Sequence, residues 1–385
     1  MTAAVDRSHR SQVLVVPVTA SPTKPLTPSH LKLLLSVDVL LRATATFADV
    51  THVYHPLAHA GSRQIAGFWE YLDRRHPGLP FGTYTEEQIG DLYGEFHRDE
   101  RVPYAALAPI VRRAADGWIH PVSARLLNLW EGHYRLLGMT DPSFGRSGPA
   151  LMPTAELIEL LTRLKLCIDG RPFGAPVYLD ATAQGLPLRP LIGADGHANY
   201  LVSTLREILP QVADHDHVVL AHDVEVRADY RSIAYVLSVM GIGVSRLEFP
   251  RVPLSNVARA TRYGDWHGYT LGALAPPLVA DLGADAFALG LRLYLIAGLG
   301  RTRPASFTSS HLRRWVHRAR RLLDEHVAGS AAPVPPLRAL AGRNPYVDPY
   351  RFTTTLLSRD RAAPTGDLLQ VMLGQAARLP EPSWT

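Results

Sequence analysis

Within seven residues the chain places a cation, two hydroxyls and an imidazole: Lys24, Thr27, Ser29 and His30 in SPTKPLTPSHLK. The group stands where an apolar run, VLVVPVT at 13–19, hands over to a helical pattern beginning near Leu31. A helix start leaves backbone N–H groups unpaired and carries the positive end of the helix dipole, so it favours an anion. With an imidazole beside it, such a site suits a triphosphate. Taken alone, the segment reads more simply as a Pro-rich turn in which Ser29 or His30 caps the helix.

The elements that must position these residues follow from the apolar pattern. The run at 13–19, the helical pattern over 31–44 and the strand-like ADVTHVYHPL make a βαβ opening, which favours a parallel sheet with right-handed crossovers. Its first loop lies at the carboxyl end of a strand, where open α/β sheets bind ligands. EEQIGDLYGEFHRD and SARLLNLWEGHYRLLG carry apolar residues at three- and four-residue spacing, so helices are expected there. Strand-like runs return at APVYLDA and DHVVLAHDV and are expected to complete the sheet. The expected fold is α/β: a Rossmann-like parallel sheet with an inserted helical region and a C-terminal helical segment.

The expected divisions are a tail at 1–12, the first half of the core at 13–66 and a mainly helical insertion at 67–171. The second half of the core follows at 172–275, then a helical segment at 276–330 and a Pro-rich extension at 331–385, weakly patterned apart from GDLLQVMLGQAARL. Length, at 385 residues, suits a large α/β core with an insertion. Hydrophobic residues make up 46% and charged residues 19%, which argues against wholesale disorder. A single cysteine, Cys167, allows no intrachain disulfide and no Cys-rich zinc site, and is expected to be a buried thiol on an apolar helix. Neither a secretory leader nor a membrane-spanning run is expected, and a cytoplasmic location is. Of the 40 basic residues only three are lysines, against 37 arginines, a skew that reads as the bias of a GC-rich coding sequence. His52, His55 and His59 invite a metal reading, but strand alternation separates His52 from His55 and no ligating carboxylate is near. Trp69, Trp118 and Trp130 lie in apolar helical patterns and are expected in the core.

Thr27-Pro28-Ser29-His30 resembles the T-x-G-H or H-x-G-H segment of a large group of Rossmann-like nucleotidyl-transferring proteins. SPTKPLTPSHLK as a whole is similar to the arginyl-tRNA synthetase stretch P-x-x-K-P-L-H-x-G-H-L-R, whose last part is that family's HIGH motif. HAGSRQI resembles its D-x-G-x-Q-I, with His59 at the acid's position and one additional residue before Gln64. IGDLYGEF and LWEGHYRLLGMTD resemble its inserted helical region. The stretch ending IGADGHANYL resembles S-D-G-T-x-x-Y-L-T-R-D, with Asp195, Gly196 and Tyr200 in place. RATRYGDWHGYTLGALA resembles the family's form of the KMSKS loop, with Thr261, Arg262 and Gly264 matching. LGADAFALGLRLYL resembles the segment that follows that loop. The order and spacing of these matches agree from about residue 13 to 320.

The resemblance implies a class I synthetase core that uses ATP and Mg²⁺ to activate an amino acid as its adenylate. Thr27, Ser29 and His30 would serve the nucleotide, and Lys24 and Arg262 would neutralise pyrophosphate. Thr261 and Gly264 would belong to the nucleotide loop. Asp195, Tyr200, Thr204, His59 and Gln64 would face the amino acid. Departures are as informative. Thr27 and Ser29 replace the first histidine and the glycine of the HIGH motif, and Tyr263 and Asp265 alter the KMSKS-like loop. Thr204 stands where the family has an aspartate for the substrate guanidinium, and losing a buried carboxylate opposite a guanidinium costs about 3–5 kcal/mol. Arginine is therefore not the expected substrate. Residues 331–385 are too few for the family's anticodon-binding domain, so the expected acceptor is a small amine, a peptide or a metabolite precursor, or a tRNA read without its anticodon. Two rival readings are a catalytically silent paralogue that binds or regulates, and a nucleotidyltransferase acting on a phosphate.

Overall fold

The structure, a computed structural model, describes residues 10–142, 144, 150–254, 266–301, 305–328, 337–358 and 366–374. Four parallel strands form its centre: β1 (Gln12–Pro17), β2 (Asp49–His52), β6 (His217–Asp223) and β7 (Gly243–Phe249). Their spatial order is β2-β1-β6-β7. β1 is set in register by Val15 opposite His52 on one side and Val15 opposite Val219 on the other. Alternation along β1 supplies two core faces, as a strand covered on both sides must. Val13 and Val15 pack with Leu33, Val37 and Leu40 of helix α1 (Pro28–Ala45). Leu14 and Val16 pack with Leu201 and Leu205 of α7 (Tyr200–Ile208) and with Ile233 and Val236 of α8 (Arg227–Val239).

Between β2 and the rest of the sheet the chain forms helices α2 (Arg63–Arg75), α3 (Glu86–Arg98), α4 (Ala108–Ala115) and α5 (Pro121–Leu136), then α6 (Thr154–Arg163). Trp69 and Trp130 are fully buried in this block, as their apolar patterns predict. A second sheet departs from expectation. APVYLDA contributes β4 (Val177–Leu179), which pairs antiparallel with β3 (Cys167–Asp169) and β5 (Arg189–Ile192) and takes no part in the parallel sheet. The connections flanking β4 are too short for the helical crossover that parallel neighbours need. Cys167 accordingly lies half-buried on strand β3, not on an apolar helix.

After β7 the fold is helical: α9 (Leu271–Leu282), α10 (Ala284–Leu293) and α11 (Ser309–Ala328). Residues 331–385, expected to be weakly patterned apart from GDLLQVMLGQAARL, supply α12 (Leu337–Ala341), α13 (Pro349–Leu356) and, within that stretch, α14 (Gly366–Leu373). Val347, Phe352, Leu368 and Met372 are wholly buried in the same core as α1 and α10. The overlooked signal is Asp348-Pro349: Asp348 caps α13 by accepting from the N–H groups of Tyr350 and Arg351, and Pro349 supplies a helix-ready first residue.

Two buried charges fasten α1 to this helical layer. Asp38 accepts from Arg292 at 3.0 Å, from Arg42 at 3.0 Å and from the N–H of Thr140 at 2.9 Å. Lys32, also wholly buried, donates to the carbonyl of Gly300 at 2.7 Å. Among the described residues no helix is long and apolar enough to cross a membrane.

Candidate active site

A cavity of ≈ 310 Å³ opens at the carboxyl ends of β1, β6 and β7. β1 sends its chain on to β2 on one side and has β6 on the other, so this edge is the point where the strand order reverses. The residues after β1 (Thr19 to Ser21), the end of β6 (Asp223) and the end of β7 (Phe249 to Arg251) line the cavity. The start of α1 adds Thr27, Ser29 and His30, the start of α2 adds Ser62 and Gln64, and His59, His197 and Tyr200 complete it.

The α1 start is organised by a reciprocal cap. Thr27 is the N-cap residue, and the His30 ring takes the place a Glu or Gln holds in the usual capping box. His30 Nδ1 accepts from the Thr27 N–H at 3.1 Å and lies 2.9 Å from Thr27 Oγ1. An accepting Nδ1 assigns the ring proton to Nε2. Burial, with the charges of Lys24 and Arg251 adding to it, lowers the His30 pKa to about 3, so the ring is neutral at physiological pH. The cap and the phosphate-site readings of His30 are thus compatible: Nδ1 serves the helix and leaves Nε2–H as a donor.

Ser29 has a different task from the nucleotide contact expected of it. Its Oγ accepts from the Val252 N–H at 2.9 Å and donates to the Val252 carbonyl at 3.3 Å. The added bulk at the family's glycine position therefore ties α1 to the segment leaving β7.

Lys24 is half-buried on the cavity wall, with no carboxylate in ion-pairing distance among the described residues. Burial lowers its pKa, and the neighbouring Arg251 charge lowers it further. Arg251, which sequence reasoning missed, pairs with Glu225 at the same edge. Its only sequence signal is its position directly after a strand and Pro250, and 37 arginines hide that signal.

The other end of the cavity is aromatic. His59 lies flat on Tyr200, with ring centroids 4.6 Å apart and planes 3° from parallel. The Tyr200 hydroxyl is 3.2 Å from that of Tyr230. Thr19 donates to the buried Glu207 at 3.2 Å, and burial raises that carboxyl to about 8.

Lys24, Thr27, Ser29, His30, His59, Gln64 and Tyr200 therefore meet around one cavity, and two expected residues do not. Asp195 is exposed in a turn, where it accepts from the His197 N–H at 3.1 Å and pairs with Arg63. Gly196, at φ 79°, makes that turn possible, as Asp-Gly pairs commonly do. Thr204 is buried within α7, and its hydroxyl donates to the Tyr200 carbonyl at 3.1 Å. Thr261, Arg262, Tyr263, Gly264 and Asp265 lie outside the described residues. The histidine triplet is divided: His59 lines this cavity, whereas His55 lines a separate one.

Burial makes these groups acid-sensitive. His30 is lowered to about 3, and His52 and His59 to about 4, each chiefly by burial. Between the ordinary imidazole value and these lowered ones, the unfolded chain binds protons that the folded chain refuses. Each ring then costs about 1.4 kcal/mol of stability per pH unit as pH falls. Glu207 acts in the opposite sense, its contribution being present at low pH and lost as pH rises toward 8. Urea unfolding is therefore expected to show greatest stability near pH 6.5, with a steep decline toward pH 4. Stability that is flat or rising toward pH 4.5 would contradict the buried-imidazole assignment.

The fold and the cavity's place in it define a class: the chain has the fold of a class I aminoacyl-tRNA synthetase core. Within that class it is similar to the arginyl-tRNA synthetase of Thermus thermophilus, at TM-score 0.60 and 14% identity, over 97% of this chain and 76% of that one. It is also similar to a protein designated an arginyl-tRNA synthetase in Campylobacter jejuni, at TM-score 0.49 and 15% identity, over 78% of this chain and 66% of that one. No protein-family model and no curated protein sequence matches the chain.

Proposed function

We propose that the chain activates an amino acid with ATP, forming an aminoacyl adenylate and releasing pyrophosphate. The observation that carries this reading is the pairing of Lys24 and Arg251 beside the α1 start, at the carboxyl ends of β1 and β7. Two cations, a helix N-terminus and the Nε2–H of a neutral His30 form a donor set suited to a triphosphate. The carboxylate oxygen of the amino acid attacks the α-phosphorus, the bond to the bridging oxygen breaks, and pyrophosphate departs with both bonding electrons. His30 Nε2–H donates to the phosphoryl oxygens as charge builds on them, and Lys24 and Arg251 balance the departing pyrophosphate. Mg²⁺ enters as the counter-ion of ATP and neutralises part of its phosphate charge. A nucleophile (a small amine, a peptide or metabolite precursor, or a tRNA end read without its anticodon) then attacks the acyl carbon, the bond from that carbon to the phosphate oxygen breaks, and AMP departs with the bonding electrons.

The rival reading, a silent paralogue that binds nucleotide without turnover, is favoured by one feature. The hydroxyls of Thr27 and Ser29 are engaged by His30 and Val252. Product analysis with ATP labelled at the α-phosphorus separates the possibilities. Amino-acid-dependent release of labelled AMP is expected. Labelled ADP would indicate phosphoryl transfer, and no product with any amino acid, with or without tRNA, would leave the silent reading.

A further inference from the structure

The aromatic end of the cavity bears on which amino acid is taken. His59 is 4% exposed, yet its Nε2 has no hydrogen-bond partner among the described residues. A buried polar atom left unpaired costs free energy that a ligand group can recover. The ring faces the cavity and is fixed by its parallel stack on Tyr200. Behind that pair the Tyr200 hydroxyl meets Tyr230, whose ring stacks on His222 at 4.7 Å. Four rings in succession thus form a rigid wall. Burial holds both imidazoles neutral and keeps both phenols protonated at physiological pH.

Three carboxyl groups lie near the cavity. Asp195 is exposed outside the cavity and paired with Arg63. Glu207 sits behind Thr19, where burial raises its carboxyl to about 8 and disfavours its charge, and its Oε1 has no hydrogen-bond partner among the described residues. Asp223 lines the cavity; its Oδ1 accepts from the N–H groups of Glu225 and Val226, and its charge acts on Lys24 as well as on Tyr200 and Tyr230. A guanidinium or ammonium side chain held here would have no carboxylate of its own, since Asp223 already offsets Lys24, whereas a neutral polar group would satisfy His59.

We infer that this cavity selects an amino acid whose side chain is uncharged and bears a hydrogen-bonding group, seated against the His59–Tyr200 stack. The inference rests on the adenylate-forming reading for the orientation of the ligand, but it concerns binding and is tested by binding. Calorimetric titration in the presence of a non-hydrolysable ATP analogue compares citrulline, glutamine, histidine and tyrosine with arginine and lysine. Citrulline and arginine form the critical pair, since they share shape and differ in charge. At least one uncharged ligand is expected to bind about 100-fold or more tightly than arginine and lysine, the scale set by burying an unpartnered charge. His59→Ala is expected to weaken that ligand at least tenfold, and His59→Asp to strengthen arginine at least tenfold. Arginine or lysine binding as tightly as the best uncharged ligand would overturn the inference. So would a panel in which nothing binds, or His59→Asp leaving arginine unchanged in a folded protein. Selective binding without AMP release would leave this inference standing while the adenylate reading fails.

Discussion

Lys24→Ala is expected to slow adenylate formation by about 10²- to 10³-fold, the usual effect of removing one preorganised charge or donor from a developing anion. Lys24 is a half-buried cation on the cavity wall, and burial and Arg251 both act against its charge. Asp223 and Glu225 offset these effects only in part, and an anionic ligand would complete the compensation. The loss is expected mainly in the turnover rate, because pyrophosphate gains charge during the reaction. Lys24→Arg keeps the charge and is expected to recover activity to within about tenfold of the wild type, limited by the changed geometry. The melting temperature of Lys24→Ala is expected to hold or rise, since a desolvated cation is removed from beside Arg251. A fall in activity with a parallel fall in melting temperature would show a structural role instead.

Asp38→Ala is expected to lower the unfolding free energy by about 3–5 kcal/mol, the range for removing one partner of a buried ion pair. Asp38 is 2% exposed and Arg292 is fully buried, so the variant leaves a guanidinium in the core without its counter-charge. Arg42 and the Thr140 N–H lose the same acceptor. Because Asp38 joins α1 to α10 and to the chain after α5, the damage extends to the helix that carries Thr27 and His30. Replacing both partners, Asp38→Leu with Arg292→Met, is expected to return most of the lost stability, since the desolvated charge then disappears too. A cost below about 1 kcal/mol for Asp38→Ala in urea titration would show that the network is not structural.

The phosphate end of the site is legible in the sequence because its parts are local. An apolar strand, a turn and a capped helix within residues 13–44 place Lys24, Thr27 and His30 together whatever the rest of the chain does. The second half is less legible because it depends on distant packing. Arg251 reaches the same edge only through the β6–β7 pairing, and its position after a strand and Pro250 is a weak signal among 37 arginines. Asp195 fits a motif, but Asp195-Gly196 also favours a turn, and the local turn with Arg63 prevails. Ser29 reads as bulk against a nucleotide until Val252, far along the chain, is seen to take both its hydrogen bonds. β4 has the composition of a core strand, and only the short connections around it exclude it from the parallel sheet. The skew of basic residues toward arginine also acquires a sharper meaning. Of three lysines, Lys32 is fixed in the core to Gly300, and Lys24 faces the cavity without an ion-pair partner among the described residues.

Amino-acid-dependent ATP–pyrophosphate exchange by the purified chain, run across an amino-acid panel with and without tRNA, tests adenylate formation in this cavity most directly. Exchange is expected with at least one uncharged amino acid, and it is expected to be abolished or severely reduced in His30→Ala and Lys24→Ala. Exchange that survives both substitutions at the wild-type rate, or no exchange with any amino acid under either condition, would contradict it.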